Sequence, residues 1–195
     1  MADNFRTNTS YDEEMRKFDS YAHAVTVISE PHRMIHDGFM FNASGVVAAV
    51  ADSASLDILI KRPQGNIGHF TFVEFALDDS PVTVEFFEDV TVSADGTEVN
   101  VHNHNRLSSN TPSGATMFTG PTVTDTGTLL HTRYIPSAGA PGNQPAGRLV
   151  SGEDAEWVIG SVTADINYLW RITNNSGGAI SIGYHFNGYL IGYID

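Results

Sequence analysis

Ile166-Asn167-Tyr168-Leu169-Trp170-Arg171-Ile172 and, beyond Thr173-Asn174-Asn175-Ser176-Gly177-Gly178, Ile180-Ser181-Ile182-Gly183-Tyr184-His185-Phe186 carry the plainest periodicity in the chain. Successive side chains of a strand project to opposite faces, so Ile166, Tyr168, Trp170 and Ile172 share one apolar face while Asn167 and Arg171 take the other. Ile180, Ile182, Tyr184 and Phe186 line the strand that follows. The Asn/Ser/Gly break between the two runs predicts a flexible hairpin turn. Asn187-Gly188 predicts a further turn or kink before Tyr189-Leu190-Ile191-Gly192-Tyr193-Ile194, an apolar terminus that needs burial against the sheet or another subunit.

Working outward, the same pattern recurs. Ala24 to Ile28 is β-branched and ends ahead of Glu30-Pro31, where proline restricts the chain. Gly38 to Ala51 forms a second run, and Leu56, Ile58 and Ile60 alternate with Asp57 in a third. Gly68 to Phe75 places Phe70 and Phe72 on one face and Val73 and Phe75 on the other, which predicts a strand near the centre with a bulge near Phe72 or burial on both sides. The Asp78-Asp79-Ser80-Pro81 turn then leads to Val82, Val84 and Phe86, and the two runs together predict a hairpin. Asp95-Gly96 is a tight-turn signal or part of a longer loop, and Thr128 to Tyr134 and Ala155 to Gly160 are shorter strands. Eight or more short strands without βαβ alternation point to an all-β, antiparallel β-sandwich, jelly-roll-like, over residues 31–195.

The 195 residues contain 18 glycines and 8 prolines, and Lys17 and Lys61 are the only lysines, a composition that favours strands and turns over long helices. Ten Lys+Arg against 23 Asp+Glu leave a formal charge of −13, which repels a phosphate backbone and disfavours nucleic-acid binding. With no cysteine there is neither a disulfide nor a thiolate nucleophile. No apolar run reaches the roughly 20 residues that span a bilayer, and the start lacks a basic region followed by an apolar one, so we expect a chain with no membrane partner and no Sec export.

Residues 1–30 differ from the rest and read as an N-terminal arm with a first strand. Ser10 and Glu13 fit a capping box, predicting a short helix from Tyr11 to Asp19 with Met15 and Phe18 on one side. The arm either frays or orders when Phe5, Arg6, Tyr11, Met15 and Phe18 dock on a partner. Ile135 to Gly147, rich in Pro, Gly and Ala, predicts an exposed excursion that is either disordered or in contact with a neighbouring molecule.

His102-x-His104 is the most tempting chemical motif, because alternate strand residues face the same way and offer two imidazoles to one metal. A cupin-type jelly roll would place a glutamate three or four residues further on, whereas Asn105-Arg106-Leu107-Ser108 follows here. The favoured reading is a polar strand or loop in which His102, Asn103, His104, Asn105 and Arg106 form hydrogen bonds or face a subunit boundary, together with Tyr189 and Tyr193. His32 and His36 would need a helix to bring their imidazoles together, and Pro31 and Gly38 argue against one, leaving a turn in which Asp37 bonds backbone amides. The pairs Asp78/Asp79, Glu88/Asp89 and Glu153/Asp154 lie on adjacent residues facing opposite ways, poor geometry for paired acid and base. No nucleophile elbow, P-loop or dinucleotide fingerprint is present, so we expect no catalytic residue, no metal and no cofactor. Trp157 is open to core packing or sugar stacking; Trp170 belongs to the core.

His36-Asp37-Gly38 with Phe39 and Phe41, Gly68-His69-Phe70-Thr71-Phe72, Val84-Glu85-Phe86-Phe87-Glu88-Asp89, Asn103-His104-Asn105-Arg106, and Tyr168 to Asn174 with Ile180-Ser181 resemble segments of tailed-bacteriophage capsid decoration, or cement, proteins. The resemblance spans roughly Met34 to the C-terminus and leaves out the Met1–Glu30 arm and the Pro136–Gly147 loop. It implies a β-sandwich, often a homotrimer, that binds the major capsid protein on the outer surface of the virion after synthesis in the host cytoplasm. The acidic charge, the missing cysteine, the arm and the long loop suit that placement. The rival expectation is a tail or surface adhesin with a carbohydrate-binding β-sandwich, which an exposed aromatic row including Trp157 would favour.

Overall fold

A computed structural model describes residues 16–18, 25–27, 30–76, 80–111, 115–136 and 156–191, with main chain alone for 16–18, 25–27, 30, 73–76 and 190–191. In chain order the elements are β1 (Arg16–Phe18), β2 (Val25–Val27), α1 (Glu30–Asp37), β3 (Met40–Val50), β4 (Ser55–Arg62), β5 (Ile67–Ala76), β6 (Val82–Glu88) and β7 (Thr91–Ala94). They continue with β8 (Thr97–Val99), β9 (His102–Asn103), β10 (Thr116–Thr119), β11 (Thr122–Asp125), β12 (Thr128–Ile135), β13 (Glu156–Ile159), β14 (Ile166–Asn174) and β15 (Ile180–Ile191).

The strands form an antiparallel β-sandwich. One sheet has the order β13-β5-β15-β3-β9 and the other the order β12-β6-β14-β4-β10-β8. The chain changes sheet at every step from β3 to β6 and again from β12 to β15, so partners are nested: β3 with β15, β4 with β14, β5 with β13 and β6 with β12. Aromatic side chains fuse the sheets. The Phe72 ring of the five-stranded sheet lies 5.0 Å from Phe86 and 4.9 Å from Trp170 of the other sheet. Trp170, Tyr168, Ile172, Ile182 and Phe186 are all buried, and each such side chain withdrawn from water contributes roughly 1.5–3 kcal/mol.

The connection 89–127 between β6 and β12 wraps this unit. Its β7–β11 ribbon crosses the outer face of the six-stranded sheet, where Val92 and Val123 cover Phe87, Val90 and Leu169. Strands β8 and β10 lengthen that sheet beyond β4, while β9 pairs with β3 at the edge of the other.

Several local expectations are corrected. The runs on either side of residues 77–81 do not form a hairpin, nor do those flanking Asn175–Ala179: β5 and β6, like β14 and β15, belong to opposite sheets. Alternation reports which face is buried, and two inward faces meet equally well across a sandwich as beside each other. At the second arch the buried Asn174 amide donates to the carbonyls of Val50 at 2.9 Å and Gly178 at 2.6 Å, while its Oδ1 accepts the Ser176 N–H at 2.9 Å. Asp95-Gly96 is likewise a joint between strands that pair elsewhere, β7 with β11 and β8 with β10. The register of β5 with β15 runs unbroken through Phe72, so no bulge forms there.

Strand β15 also continues straight through Asn187-Gly188. Gly188 provides space rather than a turn, since a Cβ there would run into the Phe70 ring. Arg16–Phe18 pair with Val25–Val27 as a small ribbon, in place of the last part of the helix expected over Tyr11–Asp19. The rest of that expectation lies outside the described residues, as does most of the 135–147 excursion.

The segment after Glu30 is a helix, contrary to the turn expected there. Proline at the first turn removes only an N–H that has no intrahelical partner, and glycine suits the residue just past the end, so Pro31 and Gly38 frame the helix instead of opposing it. Gly38 has φ +76°, and the bonds Gly38 N–H to Ile35 O at 3.1 Å and Phe39 N–H to Met34 O at 2.8 Å complete a Schellman motif.

Candidate functional site on the outer face of the five-stranded sheet

Register alone assembles a polar band on this face. Glu156 stands opposite Thr71, Thr71 opposite Asn187, Asn187 opposite Asn42, and Asn42 opposite His102, crossing all five strands from β13 to β9. The adjacent row runs Val158, His69, Tyr189, Met40. The inward-facing residues between these rows, including Phe70 and Phe41, hold the band flat on the core.

The rows are tied together by side chains. The His69 ring stacks on Tyr189 with centroids 4.7 Å apart and planes 6° from parallel. His69 Nδ1 contacts Glu156 Oε1 at 2.7 Å, and the Tyr189 hydroxyl donates to the same oxygen at 3.3 Å. His104 Nε2 donates to Asn187 Oδ1 at 3.0 Å. Between this cluster and Pro31 of α1 lies an open groove of about 280 Å³, lined by Met40, His69, Thr71, Glu156 and Asn187 among others. Its lining is mostly apolar, with the polar groups of His69, Thr71, Glu156 and Asn187 set among Pro31, Met40 and Tyr189.

The segment 102–110 performs a second task. A helix leaves its last carbonyls unbonded, and here three asparagines supply the missing donors. Asn105 Nδ2 donates to His36 O at 2.9 Å, Asn110 Nδ2 to Asp37 O at 3.3 Å, and Asn103 Nδ2 to Gly38 O at 2.8 Å. Asn103 is itself buried, and its Oδ1 accepts the Asn105 N–H at 2.8 Å. The clamp fixes α1 beside the groove.

The expected contact residues are therefore partly gathered. His102, His104 and Tyr189 meet on one sheet face, and Asn105 joins them through the clamp, whereas Arg106 is exposed beyond it. Tyr189 is buried and stacked on His69 in an interior strand, where it lines the groove. Phe5, Arg6, Tyr11, Met15 and Tyr193 lie outside the described residues, and of Phe18 only the main chain is placed, in β1. The sequence reading missed His69, Thr71, Glu156 and Asn187, which lie on three strands, β5, β13 and β15, and meet only through register.

Three further features bear on chemistry. Trp157 is half-buried, packed 5.3 Å from Phe86 and 6.0 Å from His131, and forms no exposed aromatic row. His32 and His36, brought together by the unexpected helix, place their Nε2 atoms 2.9 Å apart, and Asp37 pairs with Arg33 at 2.9 Å instead of with backbone amides. Arg62 is buried with its guanidinium 4.9 Å from the Phe70 ring centroid, and none of the three guanidinium nitrogens finds a hydrogen-bond acceptor among the described residues. Burial lowers its pKa to about 10, against an opposing effect of Tyr168. Burial also raises Tyr168, whose hydroxyl accepts the Gly160 N–H at 3.0 Å.

Among the described residues no group of three or more His, Cys, Asp or Glu is placed to hold a metal ion. No helix among them is long and apolar enough to cross a membrane. No known protein family, curated protein or solved structure matches this chain.

Proposed function

We propose that this chain is a structural virion protein that binds the outer surface of a bacteriophage capsid, through the major capsid protein, and cements the coat lattice. The observation that carries the reading is the strand winding. Eight strands, β3 to β6 and β12 to β15, alternate between sheets with nested partners, which supports a jelly roll and yields a stiff slab with broad faces. The case rests on architecture and charge and not on a reactive centre. A formal charge of −13 suits a position outside the shell, away from packaged DNA. On this reading residues 1–30 act as the capsid-binding arm, the chain assembles as a homotrimer, and attachment energy accumulates over many copies without a chemical step.

The direct test is to mix the purified chain with capsids lacking it and sediment them. Saturable co-sedimentation supports the proposal; a chain left in the supernatant at concentrations well above those of the coat subunits overturns it.

A second reading, a carbohydrate-binding adhesin module, draws on the groove beside His69, Thr71, Glu156 and Asn187, whose polar groups match sugar hydroxyls. The inward packing of Trp157 removes the aromatic platform that reading would want. Glycan-array binding abolished by Glu156→Gln, together with failure to co-sediment with capsids, would select it.

A further inference from the structure

The helix that the sequence reading dismissed creates a feature beyond the proposed structural role. His32 and His36 are one turn apart on α1, both exposed, with their Nε2 atoms facing at 2.9 Å and their rings tilted by 54°. Two imidazole nitrogens at that distance are hydrogen bonded, so one Nε2 offers a lone pair and the other offers one once its hydrogen sits on Nδ1 in the alternative tautomer. A divalent transition ion can take the place of that hydrogen bond.

The spacing is within reach of a shared ion. Two nitrogens each about 2.1 Å from an ion lie about 3.0 Å apart at a right angle and about 3.4 Å apart at a tetrahedral one. The observed 2.9 Å is the spacing of the hydrogen-bonded pair, and a rotation that opens it by a few tenths of an ångström lets both nitrogens reach one ion. Affinity of imidazole nitrogens for divalent first-row ions rises to Ni²⁺ and Cu²⁺, both of which accept adjacent nitrogen pairs with water in the remaining positions.

Preorganisation supports the same conclusion. An eight-residue helix is marginal in isolation, yet α1 is held at its C-terminal end by the amides of Asn103, Asn105 and Asn110, and Asn105 bonds the carbonyl of His36 itself. The Arg33–Asp37 pair occupies the neighbouring side of the helix and keeps that carboxylate engaged.

We infer that His32 and His36 form a surface site for one Cu²⁺ or Ni²⁺ ion, bound through both Nε2 atoms. As no third side-chain ligand converges among the described residues, water completes the coordination. The site is chemically distinct from the groove on the sheet and does not depend on the proposed capsid role.

The test is a calorimetric titration of untagged full-length protein with Ni²⁺ at neutral pH, paired with electron paramagnetic resonance of the Cu²⁺-loaded protein. We expect one ion per chain, affinity at least about tenfold weaker in His36→Gln, and no change in a His102→Ala, His104→Ala variant. The Cu²⁺ spectrum of the wild type should show two equivalent imidazole nitrogens, a readout that does not require any variant to fold. Undiminished binding in His36→Gln, transfer of the loss to the His102/His104 variant, a spectrum without paired nitrogens, or no binding at millimolar metal would each overturn the inference.

Discussion

Arg171 and Asp57 face each other across β14 and β4 in a two-pronged ion pair, with Nε to Oδ1 and Nη2 to Oδ2 both at 2.7 Å. The guanidinium also lies 5.8 Å from the Phe87 ring centroid, at the margin of the cluster under the β7–β11 ribbon. The hydrogen bonds to Asp57 raise the Arg171 pKa further, so it stays charged throughout the accessible range. This pair joins two central strands on the sheet's outer side, where the apolar core cannot.

Because the pair is planar, bidentate and partly shielded, it should contribute more than an exposed ion pair. A double-mutant cycle with Arg171→Ala and Asp57→Ala should give a coupling of about 1–2 kcal/mol in chemical denaturation, with little loss in moderate salt. A coupling indistinguishable from zero would show that the sheet aligns these strands without it.

Asn103→Ala should free the end of α1. The variant loses donors to Gly38 O and Asn110 O and the acceptor for Asn105 N–H, at a cost of about 1–3 kcal/mol. Hydrogen exchange across residues 34–39 should accelerate while β14 remains protected. Gly38→Ala should act on the same end for a different reason: φ is +76°, and the added methyl would collide with the Ser108 side chain. Unchanged exchange in both variants would exclude a clamping role.

Arg62→Met should stabilise the protein. At neutral pH the buried guanidinium carries a charge without a hydrogen-bond acceptor, and replacing it with an apolar side chain of similar length should gain about 1–3 kcal/mol, after about 1 kcal/mol of lost attraction to Phe70. The sign of the pH dependence follows from the lowered pKa. Between about 10 and the usual arginine range the unfolded chain binds more protons than the folded one, so the stability contributed by Arg62 rises with pH there. The advantage of the variant should therefore be full near pH 8 and shrink above about pH 10. A less stable variant with a constant gap across that range would contradict this.

Removing residues 1–20 should weaken capsid attachment while leaving the sandwich cooperative. The deletion takes β1 but none of the strands of the two large sheets. Retention of a single sharp thermal transition with reduced co-sedimentation is the expected result; loss of the transition would place the arm within the folded core.

Much of the sandwich was legible because burial writes itself into alternation. Tyr168, Trp170 and Ile172 point inward as read, as do Ile180, Ile182, Tyr184 and Phe186. Neighbour choice was not legible: nothing in Thr173 to Ala179 distinguishes a hairpin from an arch between sheets, and the decisive residue, Asn174, acts through carbonyls that the fold brings to it. The groove was hidden for a related reason. Glu156, Thr71, Asn187 and His102 are far apart in sequence and meet only through register. The helical His pair was within reach, since Pro31 and Gly38 mark a helix start and end once their positions are weighed.

The central claim is mechanical reinforcement of a coat lattice. It is tested most directly by heating DNA-filled capsids that lack this chain, with and without the purified protein added back, and following DNA release by dye fluorescence. Release at a clearly higher temperature in the presence of the protein, returning to the undecorated value with the arm deletion, is the predicted result; identical release curves in all three samples would contradict the account.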